Sequence, residues 1–177
     1  MKILVAYYSE TGNTRKVAET IFAAIRHTRK TLLPIDQVDE MDPYDLVFCG
    51  FPVHHHSVPA KMVHFLERLP KGKKLAIFAT HGALRGGEKA VNAFYAALSL
   101  AKGQTILGTF GCRGQVRFQL LDEWMENPQH RAWAIEAQSA NGHPDAADLE
   151  EASTFAETMM YAAEHIHGLA KKDEARG

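Results

Sequence analysis

Apolar positions along the chain fall into two alternating patterns. Lys2–Tyr8 reads Lys-Ile-Leu-Val-Ala-Tyr-Tyr, a short apolar run without helical period, as expected of a strand buried on both faces. Six small or polar residues follow, and then Val17, Ile21 and Ile25, flanked by Ala18 and Phe22, mark one apolar helix face from about Thr14 to His27. Leu32-Leu33-Pro34-Ile35 predicts a weaker strand, with a proline suited to an edge. Leu46–Gly50, Lys74–Ala79 and Thr105–Phe110 predict three further strands. Between them, Ser57 as N-cap with Pro59 just inside opens a helix through Met62, Phe65, Leu66 and Leu69. Val91, Phe94, Tyr95 and Leu98 mark the next helix. A last helix runs from about Pro144 to near residue 168, with Phe155, Met159 and Ala162 inward, and the tail Lys171–Gly177 is charged and expected to fray.

Strands alternating with helices imply right-handed βαβ units and a parallel sheet, an α/β fold in one domain spanning residues 1–177. Residues 36–44 are too few for a full crossover helix, so that connection must be short or irregular. Residues 112–143 form a long insertion after the last strand. Leu120, Leu121, Trp124 and Met125 have helical spacing within it, and Trp133, Ile135 and Ala137 suggest another short element. The simplest role for this segment is packing, anchored by its two tryptophans.

Composition narrows the function classes. With 177 residues, 46% hydrophobic and 23% charged, the chain can bury a substantial core. A net charge of −1 provides no field to recruit nucleic acid or an anionic membrane. There is no apolar run of membrane-spanning length and no signal-peptide pattern, so a cytoplasmic location without membrane insertion is expected. Two cysteines, Cys49 and Cys112, are too few for a disulfide framework.

The candidate chemistry sits in Ser9-Glu10-Thr11-Gly12-Asn13-Thr14, directly after a strand and before a helix. A phosphate placed there meets unpaired N–H groups and the positive end of the helix dipole. Ser9, Thr11 and Thr14 add hydroxyls, while Gly12 allows close backbone approach or positive φ. No lysine stands where a nucleoside-triphosphate loop needs one, and no Gly-x-Gly-x-x-Gly fingerprint for a dinucleotide occurs.

The stretch Tyr8–Thr14 resembles the phosphate-binding signature of the flavodoxin family, Thr/Ser-x-Thr-Gly-Asn-Thr. Gly50-Phe51-Pro52-Val53-His54, with His55 after it, resembles that family's first flavin-flanking loop. Thr80-His81-Gly82 through Gly87 resembles the second, by position more than by letters. The resemblance implies a doubly wound three-layer sandwich, a five-stranded parallel sheet of order 2-1-3-4-5, and FMN at the carboxyl ends of the strands. It implies electron transfer between redox partner proteins, by a monomer or homodimer. The alternative is an FMN-dependent NAD(P)H:quinone or small-molecule reductase, with a small-molecule electron acceptor. On that strand order, Cys49 and Cys112 lie two strand spacings apart, about 9–10 Å, beyond the about 7 Å limit for a disulfide. Cys112, at the functional end of the sheet, is then a candidate reactive thiol.

Two departures from flavodoxins stand out. Those proteins sandwich the flavin ring between aromatic side chains, whereas the first-loop position here is His54 and the loop 80–87 has no Phe, Tyr or Trp. His81, Leu84 and Arg85 remain as cover, and each lost ring pair forfeits about 0.5–1.5 kcal/mol. Weak FMN binding or an open flavin face is therefore expected. Flavodoxins are also acidic, whereas His54, His55, His56, His81 and Arg85 outnumber the one loop acid, Glu10. That excess would favour the reduced, anionic flavin. The three consecutive histidines are expected to line the loop and not to bind metal, because no ligand spacing supports a centre. Arg113 and Arg117 are candidates for a partner carboxylate or a pyridine-nucleotide phosphate.

Overall fold

A computed structural model describes the backbone of residues 1–174 and the side chains of residues 1–166; the charged tail lies beyond these side chains. Five strands, β1 (Ile3–Tyr7), β2 (Lys30–Pro34), β3 (Leu46–Pro52), β4 (Lys74–His81) and β5 (Thr105–Arg113), form one parallel sheet of order β2-β1-β3-β4-β5. The helices are α1 (Asn13–Ala24), α2 (Ala60–Glu67), α3 (Glu88–Leu100), α4 (Phe118–Glu126), α5 (Arg131–Gln138) and α6 (Ala146–Glu174). The short β2–β3 crossover holds only a 3₁₀ turn at Ile35–Gln37.

The two-residue strand period divides the core into two layers. Ile3, Val5, Leu46, Phe48, Ala76 and Phe78 face α1 and α6, where Val17, Ile21, Phe155 and Met159 meet them. Leu4, Ala6, Val47, Cys49, Phe51, Leu75 and Ile77 face the other way, toward Met62, Phe65 and Leu66 of α2 and Ala97 of α3. This division explains why the three inner strands read as unbroken apolar runs.

The two cysteines are free, buried, and on opposite faces of the sheet, a stronger bar to a disulfide than strand spacing. Burial pushes the Cys112 thiol up to about 12, which removes the thiolate a reactive cysteine needs.

Three sequence expectations shift in the structure. Helix α2 begins at Ala60, with Pro59 as N-cap, because Ser57 is held in a turn through reciprocal backbone bonds with His54. The buried face of α3 is Ala90, Ala93 and Ala97, with Phe94 and Leu98 packed beside it as expected, while Val91 and Tyr95 are exposed. In α6 the buried position beyond Met159 is Ala163 rather than Ala162.

Candidate functional site at the carboxyl ends of the strands

Every strand of a parallel sheet delivers its carboxyl end to one rim, and the loops leaving β1, β3, β4 and β5 meet there. Backbone bonds extend the ladder past the strands: Tyr8 N–H to Gly50 C=O at 2.9 Å, Val53 N–H to Thr80 C=O at 2.8 Å, and Gly114 N–H to His81 C=O at 2.9 Å. Above them lies a cavity of about 500 Å³.

Its phosphate-loop end is made by backbone. Gly12 takes φ +91° as the N-cap of α1, a left-handed conformation that favours glycine. The first i→i−4 bond of α1 runs from Lys16 N–H to Gly12 C=O, so the preceding amides have no acceptor within the helix. Thr11 and Asn13 line the cavity. Ser9 turns inward, its Oγ accepting from Gly12 N–H at 3.2 Å. Thr14 is buried, and its hydroxyl pairs with Thr80 Oγ1 at 2.8 Å, fixing the loop to the end of β4.

Of the other residues singled out from sequence, Glu10, Pro52, Val53, His54, His55, Thr80, His81 and Gly82 also line the cavity. Ser9, Gly12, Thr14 and Gly87 do not; Gly87 instead caps α3. Glu10 joins three loops: it accepts from Tyr8 OH, faces His54 Nε2 at 3.7 Å and accepts from Arg117 at 3.2 Å. His81 is 6% exposed, with Nδ1 beside the Ala83 carbonyl at 3.0 Å, and burial lowers its pKa. His55 and His56 both have positive φ, +44° and +63°, in the tight turn closed by His54 and Ser57.

Sequence reasoning missed the third wall. Residues 114–138 curl back over the cavity and supply Gln115, Val116, Arg117, Leu120, Trp124 and Trp133. Gly114 sits so close to the phosphate loop that a Cβ there would stand 2.9 Å from Asn13 Nδ2, which donates to Gln115 C=O at 2.9 Å. A Cβ on Gly82 would stand 2.5 Å from Val116. Both tryptophans of the chain lie in this segment, which was the available signal; packing alone explained them equally well from sequence.

The charge pattern also differs from expectation. Arg85 turns away to Glu151, at 2.9 and 2.5 Å, and to Asp148. Arg113 binds Ser139 and the Glu136 carbonyl at the end of α5, so it is a structural clamp and not a free partner-binding cation. Glu123 and Glu136 join Glu10 in the lining, opposite Lys89 and Arg117. His56 and His81 both have lowered pKa values, mainly from burial, so they resist protonation. The expected cationic surround is therefore replaced by a nearly balanced one.

Among the described residues, one group of His143, Asp145 and Asp148 brings three possible metal-ligand atoms together. Capping accounts for it: Asp145 N–H donates to Asp148 and Asp148 N–H to Asp145, each at 3.0 Å, while His143 Nδ1 bonds Asp148.

A twisted parallel sheet with a phosphate-type turn at its first strand–helix junction defines a flavodoxin-like protein. The chain belongs to the flavodoxin domain family, whose model matches residues 4–157. It is 32% identical over 174 residues to the flavodoxin-like domain-containing protein BilS of Clostridioides difficile strain CD3, covering 92% of this chain and 98% of that one. It is 24% identical over 200 residues to a protein of Cupriavidus metallidurans named NAD(P)H dehydrogenase (quinone), covering 94% and 99%. A solved flavodoxin from the domain Archaea superposes with a TM-score of 0.62 at 17% identity, covering 93% of this chain and all of that one.

Proposed function

We propose that the protein binds one FMN in this cavity and passes electrons through it to a partner protein. The observation that carries the reading is the junction at Gly12, an open helix turn with positive-φ glycine whose neighbours Thr11 and Asn13 line a cavity that also gathers Thr80, His54 and two tryptophans. The amides of the first turn of α1 and the Thr11 hydroxyl would hold the phosphate, helped by the helix dipole. The loops at 52–55 and 80–83 would flank the ring. When bound, FMN supplies one- and two-electron chemistry that no side chain here provides. The chain's own part is to grip the phosphate, exclude water and set the field. Its Glu10, Glu123 and Glu136 face Lys89 and Arg117, so the potential set here should lie nearer that of acidic flavodoxins than the histidine count suggests.

A second reading, a stand-alone NAD(P)H-dependent reductase, is favoured by the likeness to the quinone dehydrogenase across nearly the whole chain. Both cavity cations already have partners that a nucleotide phosphate would have to displace: Arg117 engages Glu10, and Lys89 lies over the Trp133 ring. This favours the carrier. An absorbance titration with FMN, followed by anaerobic addition of NADPH and then dithionite, separates the two. A carrier takes up FMN and is reduced stepwise by dithionite only. Rapid bleaching by NADPH supports the reductase, and absence of FMN uptake removes both readings.

A further inference from the structure

Only the first part of the loop that resembles the second flavin cover, residues 80–83, lines the cavity. Past Gly82 and Ala83 its side chains turn out: Leu84 is 55% exposed, its N–H is held by Glu136 Oε1 at 2.7 Å, and Arg85 is pinned to α6. The wall it leaves bare is closed by an aromatic group from two other elements. Trp133 of α5 packs edge-on against Trp124 of α4, centroids 5.2 Å apart, and against His56, 4.7 Å away. Lys89 of α3 lies over the Trp133 ring. All four residues line the cavity.

The turn that presents His56 is costly. Two non-glycine residues at positive φ, His55 and His56, occupy the centre of a two-residue turn where Asn-Gly is the relaxed choice. Such strain persists where the surroundings over-determine it, and here it sets His56 against Trp133. A tryptophan serving only as core filler would be buried among aliphatic side chains. Trp133 instead stands partly buried at the cavity wall, with an imidazole and an ammonium group at its ring.

We infer that Trp133, braced by Trp124 and His56, is the side chain that covers the flavin ring in this protein, in place of an aromatic residue on the β4–α3 loop. The inference rests on the FMN reading. It makes the α4–α5 segment a specificity element: the face under Trp133 is closed to a hydride donor, which matches electron transfer to a protein better than turnover of a nicotinamide. The ring also lies within reach of quenching flavin emission by electron transfer from the indole.

The test is a fluorescence titration of the apoprotein with FMN, comparing wild type with Trp133→Leu, Trp133→Phe and, as a control off the cavity wall, Ile135→Ala. The dissociation constant and the emission of bound flavin are read together, with circular dichroism confirming each fold. The expected result for Trp133→Leu is about 2- to 13-fold weaker binding, the equivalent of one lost ring pair, and brighter bound flavin. Trp133→Phe should regain most of the affinity but not the quenching. Ile135→Ala should match wild type in both. If Trp133→Leu does not fold, Trp133→Phe decides through its emission alone. Unchanged affinity and quenching in folded Trp133 variants would overturn the inference while leaving the FMN reading intact; wild type that takes up no FMN would overturn the FMN reading itself.

Discussion

The phosphate-loop end of the cavity is held by backbone and buried hydroxyls, and the opposite end by partly buried side chains from three helices and a loop histidine. At Gly12 the geometry follows from one left-handed glycine, the start of α1 and the Thr14–Thr80 pair. At Trp133 it follows from contacts among Trp124, His56 and Lys89, and from Arg113 clamping the far end of α5. The first arrangement has few degrees of freedom and suits a fixed group such as phosphate. The second can repack, and suits a wall that governs access.

If that contrast is right, the largest effect on stability should come from the rigid end. Thr14→Val removes one hydroxyl of a buried pair and leaves Thr80 Oγ1 without its partner. A loss of about 1–3 kcal/mol in a urea titration is expected, with Thr14→Ser recovering most of it. A Thr14→Val protein as stable as wild type would mean that this end is not fixed by the pair.

Next is the seam between the two ends. Gly114→Ala places a Cβ against Asn13, whose amide must move off the Gln115 carbonyl. Because the obstructing atoms belong to one side chain, the cost should be about 1 kcal/mol. FMN affinity should fall as well, since Asn13 belongs to both walls. A change in unfolding midpoint without a change in affinity would show that the walls are independent.

The legibility of the two ends differs for the same physical reason. The strands and the loop Ser9–Thr14 were readable because each rests on local signals, apolar runs of strand length and a polar turn with glycine between strand and helix; the strand order followed only from the family resemblance that loop carries. The role of Trp124 and Trp133 rests on how α4 and α5 fold back over β4 and β5, and a helical period does not encode that direction. The same limit applies to charge. Arg85 and Arg113 looked free in sequence, and only tertiary packing brings Glu151 and Ser139 to them. On α3, Phe94 and Leu98 do pack against the core, but Val91 and Tyr95, which outrank the alanines in hydrophobicity, stay exposed while Ala90, Ala93 and Ala97 are buried.

His81 connects the strand end to the cavity and supplies a pH test of smaller size. Burial lowers its pKa from 6.5. As pH falls below about 6.5, the unfolded chain takes up a proton that the folded chain refuses, so stability declines until the folded pKa is reached. His81→Asn keeps a donor for the Ala83 carbonyl and cannot titrate. Its unfolding midpoint should depend less on pH between 7.5 and 5.5 than that of wild type. Equal slopes would assign the acid sensitivity to other groups.

The smallest expected effect on stability is at Arg117, where a side-chain contact crosses from the α4–α5 wall to the phosphate loop. Arg117 and Glu10 are both more than a third exposed, so their 3.2 Å pair is screened by water and salt. Arg117→Gln should cost about 0.2–1 kcal/mol or less in unfolding free energy. Binding should respond more. Without Arg117, the Glu10 carboxylate faces an incoming phosphate dianion unneutralised, so FMN affinity should drop by more than stability does, and added salt should narrow the gap between variant and wild type. Glu10→Gln in the same background removes the repulsion and should restore affinity. If Arg117→Gln lowers stability and affinity in equal measure, the pair is only a strut between the two walls. If affinity alone responds, the α4–α5 wall tunes the charge at the phosphate loop.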